Sequence, residues 1–171
     1  MITLTGMSGV GKTSTGRELA HMLDYKFLDT DTVLEERCKG EKLPNILKRL
    51  GELAFLQFES QVVCNLQPGK ETVLATGGSV AYSEVAMQHL HDMSFVVHLD
   101  ASVEILAERG NLRLNNHQAY ARRSIVRCGT RTLEQLYRQR HTFYRRWANL
   151  TIDTSALTPQ QVAFKIRDVL K

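Results

Sequence analysis

Along this 171-residue chain the spacing of apolar positions switches repeatedly between a period of two and one near 3.6. Short runs of β-branched and aliphatic residues predict strands at 2–5, 26–28, 72–75, 95–99 and 150–152. Between them, apolar residues recur at i, i+3 and i+4, as Leu19, Met22 and Leu23 do, and predict helices. These run over 12–23, 31–39, 83–91, 102–109, 131–148 and 159–170, with 43–66 in two pieces broken near Gly51. The last helix has an explicit start: Thr158 as N-cap, Pro159 at the first helical position and Gln161 at the third have the composition of a capping box. Val162, Ile166 and Val169 are its expected buried stripe. Alternation of this kind predicts an α/β fold, a three-layer α/β/α arrangement around a parallel five-stranded sheet, with ligands at the carboxyl ends of the strands. No repeat, low-complexity tract or linker interrupts it, so residues 1–171 are expected to be a single domain. The Asn- and Arg-rich segment over about 110–129 fits neither period and is expected to be a mobile flap.

The first predicted junction of strand and helix carries the clearest chemistry. "LTGMSGVGKTSTG" contains G-x-x-x-x-G-K-[ST], with Gly6, Gly9, Gly11, Lys12 and Thr13 in sequence. Glycines let the backbone curl so that successive N–H groups point at anionic oxygens, and the helix that follows adds the positive end of its dipole. Lys12 can reach the outer phosphates of a nucleotide, and the Thr13 hydroxyl can ligate magnesium. Ser14, next along the same first turn, belongs with Gly9, Gly11, Lys12 and Thr13 in the expected nucleotide-binding set. A Gly-rich turn without this context would mean little. Here "MITL" supplies the strand and residues 12–23 the helix, so the motif predicts ATP binding with Mg2+.

Bulk composition narrows the class without naming it. With 43% hydrophobic and 23% charged residues the chain reads as an ordinary globular protein. No apolar run is long enough for a membrane span, and no charged-then-apolar leader opens the chain. Cys38, Cys64 and Cys128 are few, odd in number and without a C-x-x-C pair, which suits reduced thiols and a cytoplasmic protein. The net charge of +4 is modest, yet ten arginines and a single acid, Glu134, fall between Arg109 and Arg146. Few aromatics are interleaved with these arginines, so a polyanionic small molecule fits them better than nucleic acid.

Polar residues just after the strands are the remaining candidates. In "FLDTDTV", Asp29 and Asp31 stand two apart, and in extended backbone both would project to one side. Phosphoryl transfer uses one carboxylate to help hold hydrated magnesium and another to orient or deprotonate the attacking hydroxyl; either could instead cap the next helix. In "LATGGSV", Gly77 and Gly78 would let a ligand approach the backbone. Two charges sit on apolar stripes: Arg140 among Leu133, Leu136, Phe143 or Tyr144, and Trp147, and Glu59 among Phe55, Leu56, Val62 and Val63. A charge on a buried face must be paired. The two could pair with each other, or Arg140 could hold an anionic group of a second substrate with Glu59 as its orienting partner.

Together these segments resemble the shikimate kinase family, small phosphate-loop kinases of the nucleoside monophosphate kinase-like fold, nearly end to end. "GMSGVGKTSTGRELA", "FLDTD", "LGELAFLQFES", "ATGGS", "ERGNLR" and "RQRHTFYRRWANLTIDTS" carry the likeness. In that family ATP phosphorylates one ring hydroxyl of shikimate under a closing lid. The resemblance implies phosphate and metal roles for Lys12 and Thr13, a place beside the metal for Asp29, and a role as base on the accepting hydroxyl for Asp31. It implies backbone contacts to the acceptor from Gly77 and Gly78, an adenine contact for Arg109, a lid arginine reaching the phosphates in Arg113, and a carboxylate-binding arginine in Arg140. It also places the acceptor-binding helices at about 31–66 and implies a monomeric, cytoplasmic enzyme of aromatic amino acid biosynthesis.

The acceptor half departs from the family pattern. G-E-x-x-F-R is here Gly51-Glu52-Leu53-Ala54-Phe55-Leu56, the third glycine of G-G-G is Ser79, and the lid's Arg-Pro is Arg113-Leu114. Losing one of two arginines on a carboxylate costs on the order of 2–5 kcal/mol for a buried charge-assisted pair. Leu56 is expected to put apolar surface where that anion would sit. Shikimate is the leading acceptor on this reading. The alternatives are a gluconate- or polyol-type kinase, whose usual His-Pro after the aspartates is missing, and a non-catalytic regulatory ATP-binding module.

Overall fold

The computed structural model describes residues 1–110, 126 and 132–171. Strands β1 (Ile2–Thr5), β2 (Lys26–Asp29), β3 (Thr72–Ala75), β4 (Phe95–Asp100) and β5 (Leu150–Asp153) form one sheet in the order β2-β3-β1-β4-β5. Every neighbouring pair is parallel, as the alternation of strands and helices predicts. The register aligns Leu4 with both Ala75 and Val97, and Asp29 with Ala75. The segments leaving the carboxyl ends of β1, β2 and β3 therefore emerge side by side.

Eight helices are described: α1 (Lys12–Leu23), α2 (Thr30–Arg37), α3 (Leu43–Leu50), α4 (Glu52–Cys64), α5 (Glu84–Met93), α6 (Val103–Arg109), α7 (Leu133–Trp147) and α8 (Pro159–Val169). Gly51 separates α3 from α4, where the break was expected. The sequence did not announce the 3-10 turn at Val80–Tyr82. The capping box of α8 is formed as composition implied, with Thr158 and Gln161 exchanging side-chain and backbone hydrogen bonds. Its buried stripe ends at Ile166, because Val169 in the last turn is 56% exposed.

Side chains alternate across the sheet and so divide the core. Val73 of β3 packs with Leu19 and Ala20 of α1 and with Val162 and Ile166 of α8. Leu74, the next residue, packs on the other face with Val63 of α4 and with Met87 and Leu90 of α5. A separate cluster of Leu34, Leu43, Ile46, Phe55 and Val62 ties α2, α3 and α4 together beside the sheet. Fully burying one such aliphatic side chain contributes about 2 kcal/mol, enough for this cluster to hold its three helices as one wall. That wall and the strand ends enclose the candidate site. Among the described residues no helix is long and apolar enough to cross a membrane.

Candidate active site

The phosphate loop joins β1 to α1, and its curvature is carried by Gly9 and Gly11, at φ of +87° and +102°. A residue with a Cβ rarely adopts these angles. Lys12 folds back into the loop, where its Nζ donates to the carbonyls of Gly6 and Met7, at 2.9 Å each. Burial disfavours its charge and lowers its pKa to about 8, although Asp31 and Asp29 pull the other way. The Thr13 hydroxyl, on the first turn of α1, donates to Asp29 Oδ2 at 2.9 Å.

Asp29 and Asp31 do not share a face of one strand. Asp29 is the last residue of β2, whereas Asp31 already lies in the first turn of α2. The extended backbone stops at Asp29 and the helix starts at Thr30, because Asp29 caps the helix: its Oδ1 accepts from the Asp31 backbone N–H at 3.0 Å. One carboxylate thus caps α2 and meets Thr13 at the same time. Asp31 faces the cavity, and burial, followed by the charge of Asp29, raises its pKa to about 6.

Thr30, between the two aspartates, reaches the next strand end. Its hydroxyl accepts the Gly77 N–H at 2.8 Å. A methyl group on Gly77 would collide with the Glu59 carboxylate and come 3.0 Å from Asp31 Oδ1. Two carboxylates from α2 and α4 therefore converge across a glycine that leaves them space. Glu59 is 2% exposed and is hydrogen-bonded by Ser79. Burial raises its pKa to about 7 against the pull of that hydrogen bond.

Arg140 is 1% exposed, the largest fully buried side chain among the described residues. Its Nε donates to the Tyr82 hydroxyl at 3.2 Å and its Nη2 to the Val126 carbonyl at 2.5 Å, with the guanidinium over the Tyr82 ring. No ion pair joins it to Glu59, so the mutual pairing considered from sequence does not form. Lys12, Asp31, Glu59, Gly77, Gly78 and Arg140 all line one cavity of about 330 Å³. Leu56 lies elsewhere, half-buried in a neighbouring hollow with Leu53, Ser60 and Tyr82. Leu56 is therefore not part of the wall of the cavity that holds Arg140.

A second cavity of about 280 Å³ continues from the first past Gly9, Gly11 and Ser14. Arg109 forms one wall, held by its bonds to the Thr154 hydroxyl and carbonyl and to the Ser155 carbonyl, while Leu157 and Val162 add apolar surface. A cradle of backbone donors beside a cavity of mixed polar and apolar lining suits a nucleotide with its phosphates at the loop. Thr13 and Asp29 offer hard oxygen donors of the type magnesium takes. Arg113 and most of the expected flap at 110–129 lie outside the described residues.

The model of the family described as shikimate kinase matches residues 8–171. The chain belongs to the shikimate kinase family. A shikimate kinase of Dechloromonas aromatica is 36% identical over 156 residues, which span 91% of this chain and 82% of that protein. A shikimate kinase of Enterococcus faecalis is 31% identical over 170 residues, covering 99% and 98%. Among solved structures, the shikimate kinase from Acinetobacter baumannii in complex with shikimate superposes with a TM-score of 0.82 at 31% identity, over 99% of this chain and 91% of that one.

Within this shikimate kinase framework, sequence reasoning named most of the lining, though not Ser8 or Thr76, and missed three hydroxyls that support the wall from behind. Thr30 was passed over between two aspartates, Tyr82 lay in the unannounced 3-10 turn, and Tyr144 was counted as core. One signal was available for Tyr144: it stands four residues after Arg140, on the same face of α7.

Proposed function

We propose that this chain transfers the γ-phosphoryl group of magnesium-ATP to a ring hydroxyl of shikimate. The observation that carries the reading is the convergence on one cavity of the phosphate loop, the Thr13–Asp29 pair, Asp31 and Arg140. The loop N–H groups and Lys12 bind the phosphates, and Arg109 lies beside the adenine with Ser14 at the passage between the two cavities. Thr13 and Asp29 would hold magnesium, which neutralises phosphate charge when bound. Asp31 orients the accepting hydroxyl and takes its proton as the new O–P bond forms; a carboxylate held near pH 6 is a stronger base than an ordinary aspartate. Gly77 and Gly78 contact the acceptor through their backbone, and Arg140 faces its carboxylate with Glu59 across the cavity. Arg113, by its place in the motif, would add positive charge to the transferring group.

The test is ADP release coupled to a reporter reaction, with magnesium-ATP and shikimate set against a panel of sugar acids and polyols. Turnover on shikimate well above the panel is expected. Turnover only on a sugar acid or polyol would reassign the acceptor. Nucleotide binding without turnover on any of them would replace the kinase with a regulatory ATP-binding module.

A further inference from the structure

One side chain behind the acceptor cavity is used by none of the roles above. Tyr144 is fully buried, and its hydroxyl donates to the Gly78 carbonyl at 2.5 Å. Its ring stacks on His98 of β4, with centroids 5.1 Å apart and planes 25° apart. Burial holds the phenol pKa far above its ordinary value, so the group remains a donor throughout the working range. Four residues earlier on α7, Arg140 flanks the same glycine: a Cβ at Gly78 would come 3.3 Å from Arg140 Nη1, 3.5 Å from Ser8 N and 3.6 Å from the Gly6 carbonyl.

The Gly77–Gly78 turn is thus suspended between two hydroxyls. Thr30 holds the Gly77 N–H from the β2 side, and Tyr144 holds the Gly78 carbonyl from the α7 side. Gly78 is wedged between the arginine that faces the acceptor and the loop that faces the phosphates. Without Tyr144, Thr30 and the Val80 N–H still hold Gly77, at its N–H and its carbonyl, but the Gly78 carbonyl is released and the turn could pivot about Gly77 away from Arg140. The helix and its arginine are themselves anchored elsewhere, by His141 and Tyr137 on Asp100 and by Arg140 on Tyr82 and Val126. The phosphate loop keeps its own supports in β1 and α1. Freedom gained by the turn therefore appears at the acceptor end and leaves the nucleotide end as it was.

We infer that Tyr144 is a positioning residue for the acceptor: its hydroxyl fixes the Gly77–Gly78 backbone against Arg140 in the geometry that receives the acceptor. This rests on the kinase reading above, and it assigns the grip on the acceptor turn to a side chain that touches neither substrate.

The test is Tyr144→Phe, which removes one oxygen and keeps the ring on His98. In the coupled assay the KM for shikimate should rise about 5- to 10-fold, while the KM for magnesium-ATP and the affinity for ADP by calorimetry stay within twofold of the parent. A shikimate KM that does not change, or a loss shared equally between both substrates, would overturn the assignment and leave Tyr144 a packing residue. If Tyr144→Phe is too unstable for kinetics, Thr30→Val frees the same turn from its other side and must show the same split. Failure of the parent enzyme to turn over shikimate is a separate result: it defeats shikimate as the acceptor, and this inference, stated for that acceptor, falls with it.

Discussion

Glu59→Gln separates the electrostatic cost of the site from its chemistry. The carboxyl is buried, its hydrogen bond comes from the neutral Ser79, and Asp31 adds a like charge nearby. Its pKa is therefore about 7 in the folded chain against an ordinary 4.5. Below pH 4.5 the group is protonated in both states and costs nothing. Between 4.5 and 7 the unfolded chain releases the proton and the folded chain keeps it, so stability falls as pH rises. Above 7 the full penalty is present. At about 1.4 kcal/mol for each tenfold change in protonation, it amounts to on the order of 3 kcal/mol. Glutamine keeps an oxygen that accepts from Ser79 and carries no charge, so the variant should match the parent at pH 4.5 and exceed it by about 3 kcal/mol at pH 8. Urea unfolding followed by the fluorescence of the single tryptophan, Trp147, reads this at four pH values across the window. The same variant should bind the acceptor less well, a gain in stability at the expense of function. An equal stability difference at pH 4.5 and pH 8, or a variant less stable at pH 8, would refute the argument.

Three further substitutions test other parts of the molecule. Lys12→Ala should lower phosphoryl transfer by about 10³-fold with the fold intact by circular dichroism; retained turnover would remove the phosphate-loop assignment. Leu56→Arg places a guanidinium beside Tyr82, next to the acceptor cavity, and should lower the shikimate KM by about tenfold through a second charge-assisted contact; a folded variant with an unchanged KM would show that position 56 serves packing alone. His98→Gln tests the opposite end of the pH scale: burial, against the pull of Asp100 and with smaller help from positive neighbours such as Arg145, holds this histidine at about 4 against an ordinary 6.5. As pH falls from 6.5 towards 4 the unfolded chain takes up a proton that the folded chain does not, so the parent loses stability there. The variant should lose less between pH 7 and pH 5, and an identical loss in both would count against a neutral buried His98.

The two ends of the site differed in how plainly the sequence spelled them, and the reason is sequence distance. The nucleotide end is built from contiguous residues, with Gly9, Gly11, Lys12 and Thr13 all between β1 and the first turn of α1. Local backbone rules act on such a stretch directly, so spacing alone identified it. The five strands and their parallel direction were legible for a similar reason, since period switches are local and strands that alternate with helices pair in parallel. Capping obscured one detail at this end: spacing suggested that Asp29 and Asp31 project to one side of extended backbone, but Asp29 caps α2 and Asp31 lies in its first turn.

The acceptor end is assembled from α2, α4, the turn after β3, and α7, brought together across long stretches of chain, 66 residues between Gly78 and Tyr144 alone. Periodicity marks each of these residues as buried and is silent about what it meets. It therefore singled out Arg140 and Glu59, whose charge makes burial conspicuous, and passed over Tyr144, whose burial is ordinary. It also suggested that the two charges pair, the cheapest solution for isolated buried ions. The fold adopts another: each ion takes neutral hydrogen-bond partners, Tyr82 and Val126 for Arg140 and Ser79 for Glu59. Neither charge is then neutralised by a direct salt bridge, and both remain on the cavity wall. An arginine locked to a glutamate would have little attraction left for an anionic acceptor. Neutral partners fix the two side chains in place and leave their fields directed into the cavity, at the cost in stability that Glu59→Gln is designed to read.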